Sequence, residues 1–221
     1  MTKPAIIVAL DGMEVNEALY TASILKNKVW GFKINDLLLE AGTSIISKLR
    51  QHGYVFCDVK LHDIPKTVEN SVKKLARAGA NVISVHAAHD VKMLIAAVSC
   101  RGPSKIVGIS RLTSREKKLD NIIFKAAFQI LISHADGIVL GAEDIKKINR
   151  HHEFQKMVKI VPGIRPLWWS DKNDDQKRIA TPREAAKAGA DFLVVGRPIT
   201  KSDNPAEAVE RIRYEIMNTQ E

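Results

Sequence analysis

The stretch from Cys57 to Pro65 has the sequence CDVKLHDIP and joins an apolar strand to three charged side chains. The residues before it, Tyr54 to Cys57, are largely apolar and predict a buried strand. If that strand continues, Asp58 and Lys60 project to the same face, because side chains alternate along a strand. Opposite charges on the inner face of an apolar strand are costly unless they are paired. A packed core does not need them, so the stretch predicts a functional site.

The length and composition are those of one large domain. The chain has 221 residues, of which 45% are hydrophobic, and we expect a single domain over residues 1–221. No apolar run is long enough for a transmembrane helix, and the N-terminus leads into a core strand without a signal-peptide pattern. Cys57 and Cys100 have no metal-ligand spacing and imply no disulfide framework. These features predict a cytoplasmic protein with no membrane partner.

The chain is basic, with a formal net charge of +9. This charge suits a phosphorylated substrate or, less specifically, nucleic acid. The basic residues are spread along the sequence and form no compact tract, so solvated surface lysines account for most of the charge. We therefore expect no nucleic-acid partner.

Short apolar runs alternate with amphipathic segments along the chain. Helical patterns between them include Thr67–Ala78 and Pro182–Ala188. Eight strands alternating with helices predict an α/β protein, a closed (β/α)8 TIM barrel. An open doubly wound sheet is the alternative, but the first turn lacks the G-x-G-x-x-G pattern that often accompanies it. The predicted strands are Ala5–Leu10, Val29–Lys33, Val55–Lys60, Val82–His86, Lys105–Ser110, Gly137–Leu140, Val158–Val161 and Phe192–Val195.

A short internal repeat favours the barrel. The segments ARAGAN (76–81) and AKAGAD (186–191) each precede a predicted strand. Each predicts a helix that ends at a glycine in the left-handed region, followed by a tight turn into the strand. A repeating barrel would use such a connection more than once.

Polar residues gather at the ends of the predicted strands. In a (β/α)8 barrel the carboxyl ends of the strands form the active face. Gly196 allows backbone N–H groups to approach a phosphate, and Arg197 offers a bidentate contact, in a region where barrels often bind phosphate. His86 and His89 are expected to be structural, and Ser114 has no evident partner base. The residues that end or follow the strands are Asp11, Lys33, Asp58, Lys60, Thr113, Ser114, Arg165, Gly196 and Arg197.

A polar segment, 165–176, follows the seventh strand and resists regular structure. Its length and position suit an active-site lid, and a disordered surface loop is the alternative. The pair Trp168-Trp169 argues against plain disorder.

The pattern D-x-K-x-x-D-I-P-x-T, from Asp58 to Thr67, resembles the signature of the orotidine 5'-phosphate decarboxylases. The D-x-K-x-x-D element is shared with sugar-phosphate relatives of the same superfamily, whereas Lys33, Gln176 and Arg197 make the resemblance more specific. It extends over nearly the whole chain. The other matching segments are Ala9–Asp11, Phe32–Lys33, Leu112–Ser114, Pro162–Arg165, Asp175–Arg178, Thr181–Pro182 and Val195–Pro198.

The resemblance implies a decarboxylation of orotidine 5'-phosphate to UMP and CO2, the last step of de novo pyrimidine synthesis, with neither cofactor nor metal. It implies an alternating array of charges in which Lys60 protonates C6 of the pyrimidine. Asp58 would crowd the substrate carboxylate electrostatically. The array consists of Lys33, Asp58, Lys60 and Asp63.

The same resemblance implies how the substrate is bound. Lys33 and Asp11 would hold the ribose hydroxyls, and Thr113 and Ser114 would contact the base. Asp63 and Thr67 would enter the site of a neighbouring subunit, which implies a homodimer. The phosphate would be held under the loop 165–176 by Arg165, Gln176, Gly196 and Arg197.

The chain departs from the family pattern at Asp36, Arg115 and the pair Trp168-Trp169, which affects expected substrate affinity and lid kinetics rather than the reaction. Two alternatives stay open. One is a Mg2+-dependent sister enzyme, a 3-keto-hexulonate 6-phosphate decarboxylase or hexulose-phosphate synthase, which typically has Glu where Lys33 stands. The other is a catalytically silent barrel that binds phosphate or nucleic acid.

Overall fold

Eight parallel strands form a closed barrel in the computed structural model, which describes residues 3–88, 90–110, 120–170 and 179–218. Each strand pairs with the next in the chain, and the last pairs with the first, so the predicted (β/α)8 barrel is confirmed. The strands are β1 Ala5–Ala9, β2 Gly31–Ile34, β3 Tyr54–Leu61, β4 Val82–His86, β5 Lys105–Ile109, β6 Gly137–Val139, β7 Val158–Val161 and β8 Phe192–Val195.

Helices cover the outside of the barrel and connect its strands. Within the described ranges, no helix is both long and apolar enough to cross a membrane. A 3₁₀ turn at His152–Phe154 precedes β7. The helices are α1 Val15–Ile24, α2 Leu37–Ala41, α3 Ser44–Leu49, α4 Pro65–Arg77, α5 Val91–Cys100, α6 Asp120–Ser133, α7 Ala142–Asn149, α8 Pro182–Ala188, α9 Arg197–Thr200 and α10 Pro205–Met217.

Several predicted boundaries were wrong by one or two residues. β2 begins at Gly31, where its pairing with both β1 and β3 starts, and it runs to Ile34, so Lys33 lies inside the strand. β1, β5 and β6 each end one residue early, and β3 is one residue longer at each end. α4 begins at Pro65 rather than Thr67, because proline is favoured in the first helical turn, where no N–H donor is required.

The apolar side chains form two cores on either side of the strands. The larger core lies between the strands and the helices. The smaller core fills the barrel interior with side chains such as Ile7, Phe56 and Ile160. At the amino-terminal end of the barrel, Trp30 stacks on Tyr54 with ring centroids 4.6 Å apart and meets the edge of Phe192. The interior is therefore packed, and polar groups are placed at the opposite end.

The repeated helix–strand connection has the predicted geometry. Gly79 and Gly189 have φ of 101° and 98°, in the left-handed region. In both connections the glycine N–H donates to the carbonyl three residues back at 3.0 Å, and the next N–H reaches the carbonyl five residues back at 3.1 Å. This pairing satisfies the last carbonyls of α4 and α8 and turns the chain into β4 and β8.

Candidate active site

Four charged side chains meet at the carboxyl ends of β1, β2 and β3. The Lys33 Nζ lies 2.5 Å from Asp11 Oδ2 and 3.4 Å from Asp58 Oδ2. The Lys60 Nζ lies 2.7 Å from the same Asp58 Oδ2. One carboxylate oxygen is thus shared by two ammonium groups. The structure brings together three members of the predicted array, with Asp11 beside them.

Lys60 reaches Asp58 through an irregular backbone rather than by simple strand alternation. Cys57 pairs with Ile83 and Leu61 with Val85, so the register between β3 and β4 shifts across this segment. Lys60 has φ of 49°, in the left-handed region that a long side chain rarely adopts. Such strain persists only where surrounding contacts hold it, and it is often found at functional sites.

Ser84, in the middle of β4, holds this irregular segment in place. Its hydroxyl accepts the Lys60 N–H at 2.9 Å and donates to Asp58 Oδ1 at 2.9 Å. The Ser84 side chain is fully buried, so bulk water cannot take the place of its hydroxyl. Ser84 was not predicted as a site residue from the sequence. The available signal was a hydroxyl between Ile83 and Val85 in an otherwise apolar run.

Burial and charge act in opposite directions on Lys33. Burial lowers its pKa, but the charges of Asp58 and Asp11 and the hydrogen bond to Asp11 more than offset this, and the pKa is raised overall. Lys33 is therefore an ammonium ion at neutral pH. The Lys33 and Asp58 side chains are each only 10% exposed, so their interaction is weakly screened by solvent.

Asp36, a departure from the family pattern, supports the turn that carries Asp11. Its Oδ2 accepts the N–H of Gly12 at 2.8 Å. Gly12 has φ of 73°, which a residue with a side chain would adopt only with strain. The Asp36 carboxylate, which follows the neighbouring strand β2, thus fixes the backbone next to Asp11.

Asp63 and Thr67 lie outside this charged group. Both residues are exposed, and Asp63 Oδ1 accepts the N–H of Ile64 at 2.7 Å. Across the described part of the chain, no ion pair joins Asp63 to Lys60. Ile64 next to them is 67% exposed, which is high for a large apolar side chain. Within one chain, therefore, Asp63 does not complete the array.

Three of the residues that were expected to bind phosphate lie within the described ranges. They follow strands at the carboxyl end of the barrel, where the charged side chains meet. Arg165 follows β7, and Gly196 and Arg197 follow β8. Gly196 has φ of −105°, and an added Cβ would only contact Ala9 at 3.5 Å, so contacts within the chain do not require glycine there. The predicted residues Thr113, Ser114 and Gln176 lie outside the described residues, as do His89, Arg115 and the loop beyond Ser170.

Two further groups, His86 and Cys57, lie next to the charged residues in the chain or the sheet. His86 ends β4 with its ring centroid 5.2 Å from that of His62. Burial, followed by the charge of Asp58, raises the pKa of Cys57 to about 12. In the described ranges, no group of three or more His, Cys, Asp or Glu side chains is arranged to hold a metal ion.

We predict that Ser84→Ala destabilises the protein by about 1–3 kcal/mol, because it leaves a buried carboxylate oxygen of Asp58 and the partly buried N–H of Lys60 without this partner. Urea unfolding of the variant measures this loss, with Ser99→Ala, at an exposed position of α5, as the control. Equal stability of Ser84→Ala and wild type would show that the hydroxyl does not hold the segment.

We predict that iodoacetamide at about pH 8 alkylates Cys100 well before Cys57 in the folded protein. The thiolate is the reactive form, and a buried thiol whose pKa is raised to about 12 is almost wholly protonated at that pH. Mass spectrometry of timed samples gives both rates. Faster modification of Cys57 would contradict the burial described here.

The sequence matches a known family over most of its length. A sequence model described as Orotidine 5'-phosphate decarboxylase / HUMPS family matches residues 4–212. The orotidine 5'-phosphate decarboxylase of Lactococcus lactis subsp. cremoris is 36% identical over 200 residues, which cover 81% of this chain and 83% of the relative. That of Saccharophagus degradans is 36% identical over 231 residues, which cover 96% of this chain and 95% of the relative.

The fold is also similar to solved structures. The crystal structure of orotidine 5'-phosphate decarboxylase from Lactobacillus acidophilus aligns with a TM-score of 0.80 and 29% sequence identity. The alignment covers 97% of this chain and 99% of that chain. Sequence and fold therefore agree on the same group of relatives.

Proposed function

The chain belongs to the orotidine 5'-phosphate decarboxylase / HUMPS family, and on that premise we propose that it converts orotidine 5'-phosphate to UMP and CO2. The resemblance seen in the sequence is thereby confirmed. The observation that carries the proposal is the Asp58 oxygen held between the ammonium groups of Lys33 and Lys60. Such a group supplies a negative charge and a proton donor side by side.

The proposed reaction requires a proton at C6. When the C6–carboxylate bond breaks, CO2 leaves and its bonding electron pair remains on C6. We assign the proton to Lys60, whose ammonium transfers it to C6 and becomes a neutral amine. The Lys60 side chain is 30% exposed, so solvent can return the proton. Carbon, charge and proton then balance without a cofactor.

We assign to Asp58 the role of destabilising the bound substrate before CO2 leaves. Its carboxylate contacts the ammonium groups of Lys33 and Lys60 and is only 10% exposed. A substrate carboxylate placed beside it would be repelled. This repulsion disappears as the carboxylate leaves as neutral CO2, so the interaction differs between ground state and transition state.

Lys33 and Asp11 are assigned to the ribose hydroxyls. The Lys33 ammonium supplies positive charge between the carboxylates of Asp11 and Asp58. The Mg2+-dependent sister enzymes typically have Glu at this position and use the metal cation instead. The raised pKa of Lys33 keeps its charge fixed at neutral pH. This favours the pyrimidine substrate over the sugar-phosphate alternative.

The remaining predicted contacts belong to the same proposal. Thr113 and Ser114 would contact the base, and the phosphate would be held by Arg165, Gln176, Gly196 and Arg197. Binding energy gained at the phosphate, distant from C6, would then support the chemistry at C6. The +9 net charge is compatible with an anionic substrate.

We further propose a homodimer in the cytoplasm in which Asp63 and Thr67 enter the partner's site. The exposure of both residues, and of Ile64 between them, leaves them available for such a contact. A large apolar side chain that is 67% exposed is suited to burial in an interface.

We predict that Lys60→Ala loses turnover by at least about 10³-fold while UMP still binds, because the variant lacks the proton donor but keeps the phosphate contacts. The absorbance change of orotidine 5'-phosphate measures turnover. Lys105→Ala serves as a control, because Lys105 pairs with Asp136 at the start of β5, away from the site. Unchanged turnover in Lys60→Ala would refute the donor assignment.

We predict that EDTA leaves the activity unchanged, because Lys33 supplies the positive charge at the site. The assay is run before and after dialysis against the chelator and again after Mg2+ is added. Activity that disappears with EDTA and returns with Mg2+ would favour the sugar-phosphate alternative.

We predict that mixed dimers of Lys60→Ala and Asp63→Ala recover activity that neither variant has alone. In a mixed dimer, one site combines Lys60 from one chain with Asp63 from the other. An equimolar mixture after subunit exchange would regain about a quarter of wild-type activity, since half of the dimers are mixed and each has one intact site. No recovery, despite exchange shown by differently tagged chains, would place Asp63 in its own chain's site.

A further inference from the structure

The chain leaves β7 through residues 162–169, which we call the stem. Hydrogen bonds join this stem to the segment that leads into α8. Arg165 donates its N–H to Ala180 O at 2.9 Å, and Ala180 donates to Gly163 O at 3.2 Å. Thr181 then begins α8 with a capping box, in which it exchanges hydrogen bonds with Glu184. The backbone of Arg165 is therefore held on the α8 side.

Trp168 holds the same stem on the α10 side. Trp169 donates its N–H to Pro166 O at 3.0 Å, so the residues that follow Arg165 form a tight turn. This turn places the Trp168 ring under the guanidinium of Arg211, whose central carbon lies 4.1 Å from the ring centroid. The ring also packs against the larger core. A cation–π contact on a core-packed ring fixes the turn against α10.

Glu215 lies on α10, one helical turn beyond Arg211. The pKa of Glu215 is raised overall, because burial outweighs the groups that lower it. Those groups are, in decreasing order of effect, the Leu167 N–H, the Arg183 charge, the Trp168 indole and the Arg211 charge. The Trp168 Nε1 and Glu215 Oε2 are both buried but do not form a hydrogen bond of standard geometry. The carboxylate thus lies where the stem, α8 and α10 converge.

We propose that Trp168, held by Arg211, is a positioning residue that fixes Arg165 for binding the substrate phosphate. This inference rests on the proposed function, which assigns Arg165 to the phosphate. Only Pro166 and Leu167 separate the two residues, and Pro166 has a fixed φ and is buried. A stem that is ordered before the ligand binds lowers the entropy cost of holding Arg165 on the phosphate.

The effect should therefore fall on ligands that carry the phosphate. The test measures dissociation constants of UMP and of uridine, which lacks the phosphate, for wild type, Trp168→Ala, Trp168→Phe and Arg211→Gln. The matched control is Arg213→Gln on the same helix, because Arg213 contacts Glu210 and the carbonyl of Lys28 instead. Thermal unfolding midpoints identify any variant that fails to fold.

We expect Trp168→Ala and Arg211→Gln to weaken UMP binding about tenfold and to change uridine binding less than about twofold. Trp168→Phe, which retains an aromatic ring, should restore most of the UMP affinity, and Arg213→Gln should match wild type. If Trp168→Ala does not fold, Arg211→Gln gives the same comparison.

Equal losses for UMP and uridine, or no loss for either, would overturn the positioning role while leaving the proposed function intact. Wild-type protein that binds no UMP would contradict the proposed function itself, and this inference with it. The two failures are therefore distinguishable in one set of titrations.

Discussion

The candidate site depends on one carboxylate oxygen, Asp58 Oδ2, which lies between two ammonium groups. Removing an ion from water costs several kcal/mol, and here the cost is offset only because opposite charges are adjacent. Lys33 and Asp58 are both nearly buried, so loss of either leaves an uncompensated charge in the barrel mouth. The strained backbone at Lys60 and the buried hydroxyl of Ser84 exist at this point because they hold that arrangement.

The barrel makes such an arrangement possible by separating packing from chemistry. Parallel strands all end on the same rim, so residues distant in sequence converge there. Aromatic packing around Trp30 fills the other end, and apolar side chains fill the interior. Asp36 is another residue that acts on a neighbouring segment at this rim. It follows β2, and its carboxylate fixes the turn beside Asp11, which follows β1.

The architecture was predictable because it depends on periodic signals. Eight apolar runs, the helical patterns between them and the repeated Ala-Gly connection all reflect local rules that the barrel obeys. Lys33, Asp58 and Lys60 were predictable as a group because strand ends share one rim. The backbone geometry behind the Asp58–Lys60 contact was not, since alternation along β3 fails where the register shifts and Lys60 adopts a positive φ. Ser84 and Asp36 act through neighbouring strands and turns, and such pairings leave little trace in one sequence.

The variant Asp58→Asn tests whether the Asp58 charge acts on the substrate carboxylate. The dissociation constants of orotidine 5'-phosphate and UMP are compared in wild type and variant, with UMP reporting any general damage to the site. We expect the variant to lose turnover and its affinity for orotidine 5'-phosphate relative to UMP to rise by about tenfold, or about 1.4 kcal/mol. An unchanged ratio of the two affinities, with turnover retained, would contradict this action of Asp58.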